Sequence, residues 1–157
     1  MKKKHLLILF VLPVAIAAYP AVASGSPDPV AAAKADLAKI QADVTAKRDT
    51  IVADLQKLAA TATGAKGDTR AAAKAALAPD RATLKADLAS ARSTLEADRA
   101  QLKVDLAAAK NVSGSKAALK PSLQATRVSV RTAAKDIRAA LKNARNALRE
   151  LRASFAQ

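Results

Sequence analysis

Seven basic residues recur at spacings of three and four residues in the last part of the chain. These residues are Arg131, Lys135, Arg138, Lys142, Arg145, Arg149 and Arg152. In an α-helix, residues three and four positions apart are neighbours on one face. The spacing therefore predicts one continuous row of positive charge, which we name the basic ridge. The chemistry that such a row can perform is the binding of anionic groups such as phosphate or carboxylate.

The positive charge of the chain is concentrated around this ridge. From Ser115 onward there are ten Lys or Arg residues and two acidic residues, whereas residues 24–110 contain fourteen basic and eleven acidic residues. Three interpretations are open. Acidic residues of neighbouring helices neutralise the ridge across the fold, or it binds anionic lipid or another polyanion of the cell envelope, or it binds nucleic acid. Nucleic acid is the least favoured partner, because the sequence has no motif that reads bases.

The residue types needed for catalysis are scarce. The chain has no cysteine, and its only histidine is His5. Neither Gly64-Ala-Lys-Gly67 nor Ser113-Gly-Ser-Lys116 has the spacing of a phosphate-binding loop. We therefore expect a protein without enzymatic activity, without a cofactor and without a metal site.

Two pairs of carboxylates lie seven residues apart and could in principle hold a cation. They are Asp36 with Asp43, and Asp98 with Asp105. Each of the four has Lys or Arg nearby in the sequence, and opposite charges three or four residues apart stabilise a helix. We therefore expect these carboxylates to lie on solvated helix faces.

The N-terminal residues have the pattern of an export signal. Three lysines at positions 2–4 precede an apolar run from Leu6 to Ala18, and Ala21-Val-Ala23 matches a cleavage site. The apolar run is short for a membrane span of ~20 residues. We expect residues 1–23 to be a cleaved signal peptide, with an uncleaved anchor as the alternative, and the protein to be periplasmic or secreted. Residues 24–29 are expected to be a flexible lead-in.

The rest of the chain has the composition of long helices. Alanine dominates and aromatic residues make up 2% of the chain, so strands are disfavoured. Asp28 and Pro29 are typical of a helix start. From there an apolar residue recurs at every seventh position, at Val30, Leu37, Val44, Ile51 and Leu58. This repeat predicts a helix over 29–60 that packs against other helices.

Two turns are predicted at 61–68 and 111–115, where Gly, Ser, Thr and Asn cluster. With Asp68 as N-cap, a short helix over 69–78 is expected to break or kink at Pro79. A longer helix follows over 80–110, with apolar positions at Leu84, Leu88, Ala91, Leu95, Leu102 and Leu106. The last helix begins at Ser115 or is reset by Pro121. Its apolar face is predicted to consist of Val130, Ala134, Ile137, Leu141, Ala144, Leu148, Leu151 and Phe155.

A sequence repeat supports the same architecture. A seven-residue unit with Arg first, Leu or Ile fourth and Asp last begins at Arg48, Arg81, Arg92 and Arg99. The successive offsets are built from periods of seven and eleven, which both keep one apolar stripe along a helix. Residues 30–157 are therefore expected to form a single all-α domain, an elongated antiparallel three-helix bundle or coiled coil.

Together these patterns predict an exported, non-enzymatic structural or binding protein of the cell envelope or extracellular space. Its basic C-terminal helix is expected to bind an anionic surface or partner, and its helices could also mediate self-association. Two alternatives are a periplasmic chaperone-like holdase and a basic nucleic-acid-binding protein.

Overall fold

The computed structural model describes residues 28–156, which form three long helices. They are α1 (Pro29–Gly64), α2 (Arg70–Ala109) and α3 (Ser115–Ser154). No strand occurs within these residues, and the predicted all-α three-helix bundle is confirmed. The predicted signal peptide, residues 1–23, and residues 24–27 of the predicted lead-in lie outside the described residues. In the part of the chain that the structure describes, no helix has an apolar stretch long enough to cross a bilayer.

Helix α1 is the central element. It begins at Pro29 as predicted, and it continues to Gly64, into the segment predicted as a turn. The Asp28 carboxylate accepts a hydrogen bond from the Val30 amide at 2.9 Å, with Pro29 at the first helical position. This cap satisfies one amide that has no partner within the helix. All five residues of the seven-residue repeat, together with Ile40 and Leu55, are buried. The predicted apolar stripe of α1 is therefore the core of the bundle.

Helix α2 continues through Pro79, so the predicted break there is wrong. The next residue, Asp80, is buried against α1, where it accepts a hydrogen bond from Thr61 Oγ1 at 2.5 Å and pairs with Lys57 at 3.1 Å. These contacts hold the turn that contains the proline against α1. The predicted N-cap is also displaced by one residue, because the Thr69 hydroxyl rather than Asp68 caps α2. Helix α3 likewise begins at Ser115 and continues through Pro121.

The three helices run up, down and up, with α1 packed against both of the others. Near one end of the bundle, Val30 of α1 shares a cluster with Ala109 and Leu119. Near the other end, Leu58 shares a cluster with Leu77 and Leu151. Helix α1 is thus antiparallel to α2 and parallel to α3. The main chains of α2 and α3 lie farther from each other than either lies from α1.

The contact of α3 with α1 uses other residues than the sequence predicts. The buried residues of α3 in its second half are Ala133, Ala140, Ala144 and Leu151. Only the last two belong to the predicted apolar face, whose other members are half-buried or, for Val130, 46% exposed. Alanine permits close approach of two helices, and the larger apolar residues are rotated toward α2. On α2, Leu88 is also 47% exposed.

The repeat assigns each of its residue types to a different side of α2. The acidic members are buried or half-buried toward α1, the leucines are half-buried, and the arginines are exposed. In order, these are Asp87, Asp98 and Asp105, then Leu84, Leu95 and Leu102, and then Arg81, Arg92 and Arg99. The unit therefore places carboxylates against α1 and arginines on the surface.

Candidate anion-binding surface

The seven residues of the basic ridge are all exposed along α3. They lie on the side of the helix that faces away from α1, since the contact with α1 is made by Ala133, Ala140 and Ala144. From Arg131 to Arg152 the ridge extends over roughly 30 Å at 1.5 Å per residue. The structure therefore brings the predicted site residues together on one continuous surface.

No residue of the basic ridge forms a salt bridge within residues 28–156. The two acidic residues of α3 instead point to cations elsewhere, with Asp136 at 3.4 Å from Arg48 and Glu150 at 2.7 Å from Lys66. The hydrogen bond from Lys66 lowers the pKa of Glu150. Within the described residues, acidic residues of α1 and α2 therefore form no direct ion pair with the ridge.

Four members of the ridge surround a shallow hollow of about 430 Å³. Arg138, Lys142, Arg145 and Arg149 line it together with Leu141 and Asn146. Like charges at i and i+4 oppose helix formation by a few tenths of a kcal/mol per pair. A bound anion would relieve that repulsion. The hollow is shallow and solvated, and no Asp, Glu, His, Ser or Thr is among its lining residues.

A second basic surface, which the sequence did not predict, borders the space between α2 and α3. We name this space the α2–α3 groove; Arg99 lines it from α2, and Arg127 and Arg131 line it from α3. No Asp or Glu lines the groove or the hollow beside the ridge. Arg99 belongs to the sequence repeat, which is the one signal that could have indicated this wall. That signal can be interpreted only when it is known which face of α2 points toward α3.

The carboxylates that sequence spacing placed on solvated faces lie instead at the interface between α1 and α2. Asp98 is buried, and Asp36, Asp43 and Asp105 are half-buried. Lys39 bridges the helices, with Nζ at 2.6 Å from Asp43 and 2.5 Å from Asp98. The hydrogen bond from Lys39 lowers the pKa of Asp43, and the hydrogen bonds with Asp43 and Asp98 raise the pKa of Lys39. The expectation of solvated carboxylates is thus wrong, because α2 turns this face toward α1.

Two further pairs of carboxylates face each other across the same interface. Burial and a hydrogen bond with Asp105 raise the pKa of Asp36, and burial and a hydrogen bond with Asp87 raise the pKa of Asp54. One oxygen of Asp36 and one of Asp54 are buried without a donor in the described chain when all four groups are ionised. Protonation of Asp36 or Asp54 would let that carboxyl donate a hydrogen bond to the carboxylate that faces it. No cluster of three or more potential metal ligands occurs among the described residues.

We expect Asp54→Asn to stabilise the protein at pH 7. The pKa of Asp54 is higher in the folded chain than its ordinary value of 3.8, so ionisation at neutral pH costs stability. Below the folded pKa of Asp54 its carboxyl stays protonated and the folded chain is not destabilised. The destabilisation develops as the pH rises through that folded pKa. The melting temperature of the variant should exceed that of the parent at pH 7, and the difference should shrink as the pH falls toward 4. Asp68→Asn, in the exposed α1–α2 connection, is the control, and a variant no more stable than the parent at pH 7 contradicts the prediction.

The site as a whole is a long surface of cations and apolar side chains, and no Asp or Glu lines the groove or the hollow beside the ridge. Such an arrangement can attract and hold an anionic partner. The chain matches no protein-family model, no curated protein and no solved structure.

Proposed function

We propose that this protein is an exported, non-enzymatic helical binding protein whose α3 contacts an anionic surface. The single observation that supports this function is the basic ridge, seven exposed cations without an ion pair in the described chain. The chemical class of the surface is a layer of anionic lipid headgroups. Each basic residue near such a layer contributes ~1 kcal/mol to binding.

The shape of the ridge suits a flat surface better than a compact ligand. Its cations follow one side of a straight helix over roughly 30 Å, so several headgroups can be contacted at once. The bundle lies flat in this arrangement, with α3 toward the headgroups and α1 away from them. Deep insertion is disfavoured because the exposed face of α3 consists mainly of charged residues and alanine.

The distribution of acidic residues supports the same orientation. Asp136 and Glu150, the only acids of α3, are held by Arg48 and Lys66. The pairs Lys39–Asp98 and Lys57–Asp80 lie between α1 and α2. A surface approached by the ridge therefore meets cations first, and electrostatic attraction extends over about a Debye length, ~8 Å at physiological salt.

The test is to measure binding of the purified protein to vesicles of phosphatidylglycerol and of phosphatidylcholine across a salt series. We expect binding to the anionic vesicles at low salt, a steep loss as salt rises, and little binding to the neutral vesicles. Binding that depends on neither lipid charge nor salt would contradict the proposal. Competition by soluble polyphosphate and by duplex DNA distinguishes a lipid surface from a polyanion, because a polyanion ligand would displace the protein from vesicles at low concentration.

A further inference from the structure

The α2–α3 groove has an apolar interior that the helices leave partly open. Its central part has a volume of about 520 Å³, with Ile40, Val44 and Ile51 of α1 as its floor. A neighbouring hollow of about 300 Å³ shares Leu102 and Val130 with it. The two hollows are adjacent, and their volumes lie in the range of small-molecule sites, about 300–1,000 Å³.

Cations without an ion pair in the described chain border the α2–α3 groove. Arg99, Arg127 and Arg131 are exposed at its edges, and none of them forms a salt bridge within residues 28–156. The two other cations at the groove are engaged, since Lys47 donates a hydrogen bond to Ser90 and Arg48 pairs with Asp49. Three free guanidinium groups beside an apolar floor complement a molecule with one anionic end and one hydrocarbon part.

The side chain of Val130 strengthens this assignment. It is 46% exposed although it is apolar, and it lines both hollows. Its neighbour Arg131 lines the same edge. Covering the exposed part of this valine is favourable through the hydrophobic effect, so an occupant of the groove gains from the apolar floor and from this wall.

We propose that the α2–α3 groove binds a single-chain anionic amphiphile, namely a long-chain carboxylate. The hydrocarbon chain lies along Ile40, Val44 and Ile51, and the anionic head contacts Arg99, Arg127 and Arg131. The site shares only Arg131 with the basic ridge, and it goes beyond the contact of α3 with a surface. A carboxylate or phosphate can accept two parallel hydrogen bonds from one guanidinium, which favours arginine at such a position.

The narrowness of the groove distinguishes this ligand from a partner helix. Ile40, Val44 and Ile51 are only 5–7% exposed, so the opening above the floor is narrow. An unbranched hydrocarbon chain can enter such an opening. A helix is ~10 Å across with its side chains, and α2 and α3 would have to separate to admit its apolar face.

Isothermal titration calorimetry with dodecanoate tests the proposal. We expect one dodecanoate per chain, at least tenfold weaker binding of 1-dodecanol, and at least tenfold weaker binding of octanoate, because octanoate lacks four methylene groups that the groove would bury. Ala134→Phe fills the groove from its α3 wall and should weaken dodecanoate binding at least tenfold. Ala139→Phe, on the exposed side of α3, is the matched control and should bind as the parent does.

If circular dichroism shows that Ala134→Phe changes the helical content, a second variant tests the proposal. Arg99→Gln combined with Arg127→Gln should weaken binding of dodecanoate and leave binding of dodecanol unchanged. Equal affinity for dodecanoate and dodecanol, or undiminished dodecanoate binding by a folded Ala134→Phe variant, overturns the proposal. Displacement of dodecanoate by an acidic amphipathic peptide that binds more tightly also overturns it, in favour of a protein partner. Vesicle binding by Ala134→Phe should remain unchanged, so failure here is distinguishable from failure of the ridge.

Discussion

Replacing Arg138, Lys142 and Arg145 together by glutamine is expected to weaken binding to anionic vesicles by roughly a hundredfold. Each basic residue near an anionic surface contributes ~1 kcal/mol, and a loss of ~3 kcal/mol corresponds to about two orders of magnitude in affinity. Glutamine has nearly the helix propensity of lysine and arginine. The variant should therefore keep its helical content while its vesicle binding also becomes less sensitive to salt. Co-sedimentation with phosphatidylglycerol vesicles at several salt concentrations measures both quantities.

The matched control changes the same net charge at another place. Lys34, Lys85 and Lys103 are exposed on α1 and α2, outside the basic ridge, and form no salt bridge in the described chain. Their replacement by glutamine should change vesicle affinity by less than about threefold, since charges beyond a Debye length are largely screened. Equal losses in the two triple variants would mean that net charge alone, and no particular face, drives binding.

Local sequence rules predicted α1 well because one pattern there satisfies every requirement. The Asp28 cap, the proline that follows it and the seven-residue repeat all favour the same helix, and the repeat faces two neighbours at once. The result is a stripe from Val30 to Leu58 in which every repeat position is buried. A central helix of this kind has only one face that can form the core.

The outer helices were harder to predict because their facing depends on α1. Helix α2 could have broken at Pro79, and it is the anchoring of Asp80 by Thr61 and Lys57 that favours a continuous helix. On α3, nothing in the sequence distinguishes Ala133 and Ala140 from the alanines beside them. They face α1 because small residues allow a close approach. The larger Ile137 then lines the groove, and Leu141 lines the hollow beside the ridge.

The candidate site shows the same contrast between features on one helix and features built by two helices. The basic ridge lies on one helix, so its spacing alone was sufficient to predict a continuous exposed face. The α2–α3 groove combines Arg99 with Arg127 from different helices, and the Lys39 bridge combines Asp43 with Asp98. Sites built by two helices require the rotation of each helix, which an alanine-rich sequence does not specify.

The largest effect on stability is expected from Leu37→Ala. Leu37 is 1% exposed and is the largest side chain with almost no exposed surface among the described residues. Removing a buried leucine side chain costs about 2–5 kcal/mol, because transfer energy is lost and a cavity remains. Leu37 shares a cluster with Val30, Ala109 and Leu119 of all three helices, so its truncation leaves a cavity where the helices meet. We expect a loss of ~3 kcal/mol in the free energy of unfolding, measured by urea denaturation, against a typical total of about 5–15 kcal/mol.

Leu88→Ala makes the same chemical change at a position that is 47% exposed and should cost no more than about 0.5 kcal/mol. Equal losses for the two variants would contradict the assignment of the α1 stripe as the core. Because the basic ridge lies on the side of α3 that faces away from α1, Leu37→Ala should bind anionic vesicles as the parent does at temperatures where it remains folded. The ridge variant should show the reverse, with normal unfolding and weakened binding. That opposite behaviour of the two variants would separate the residues that stabilise the bundle from the residues that bind anionic vesicles.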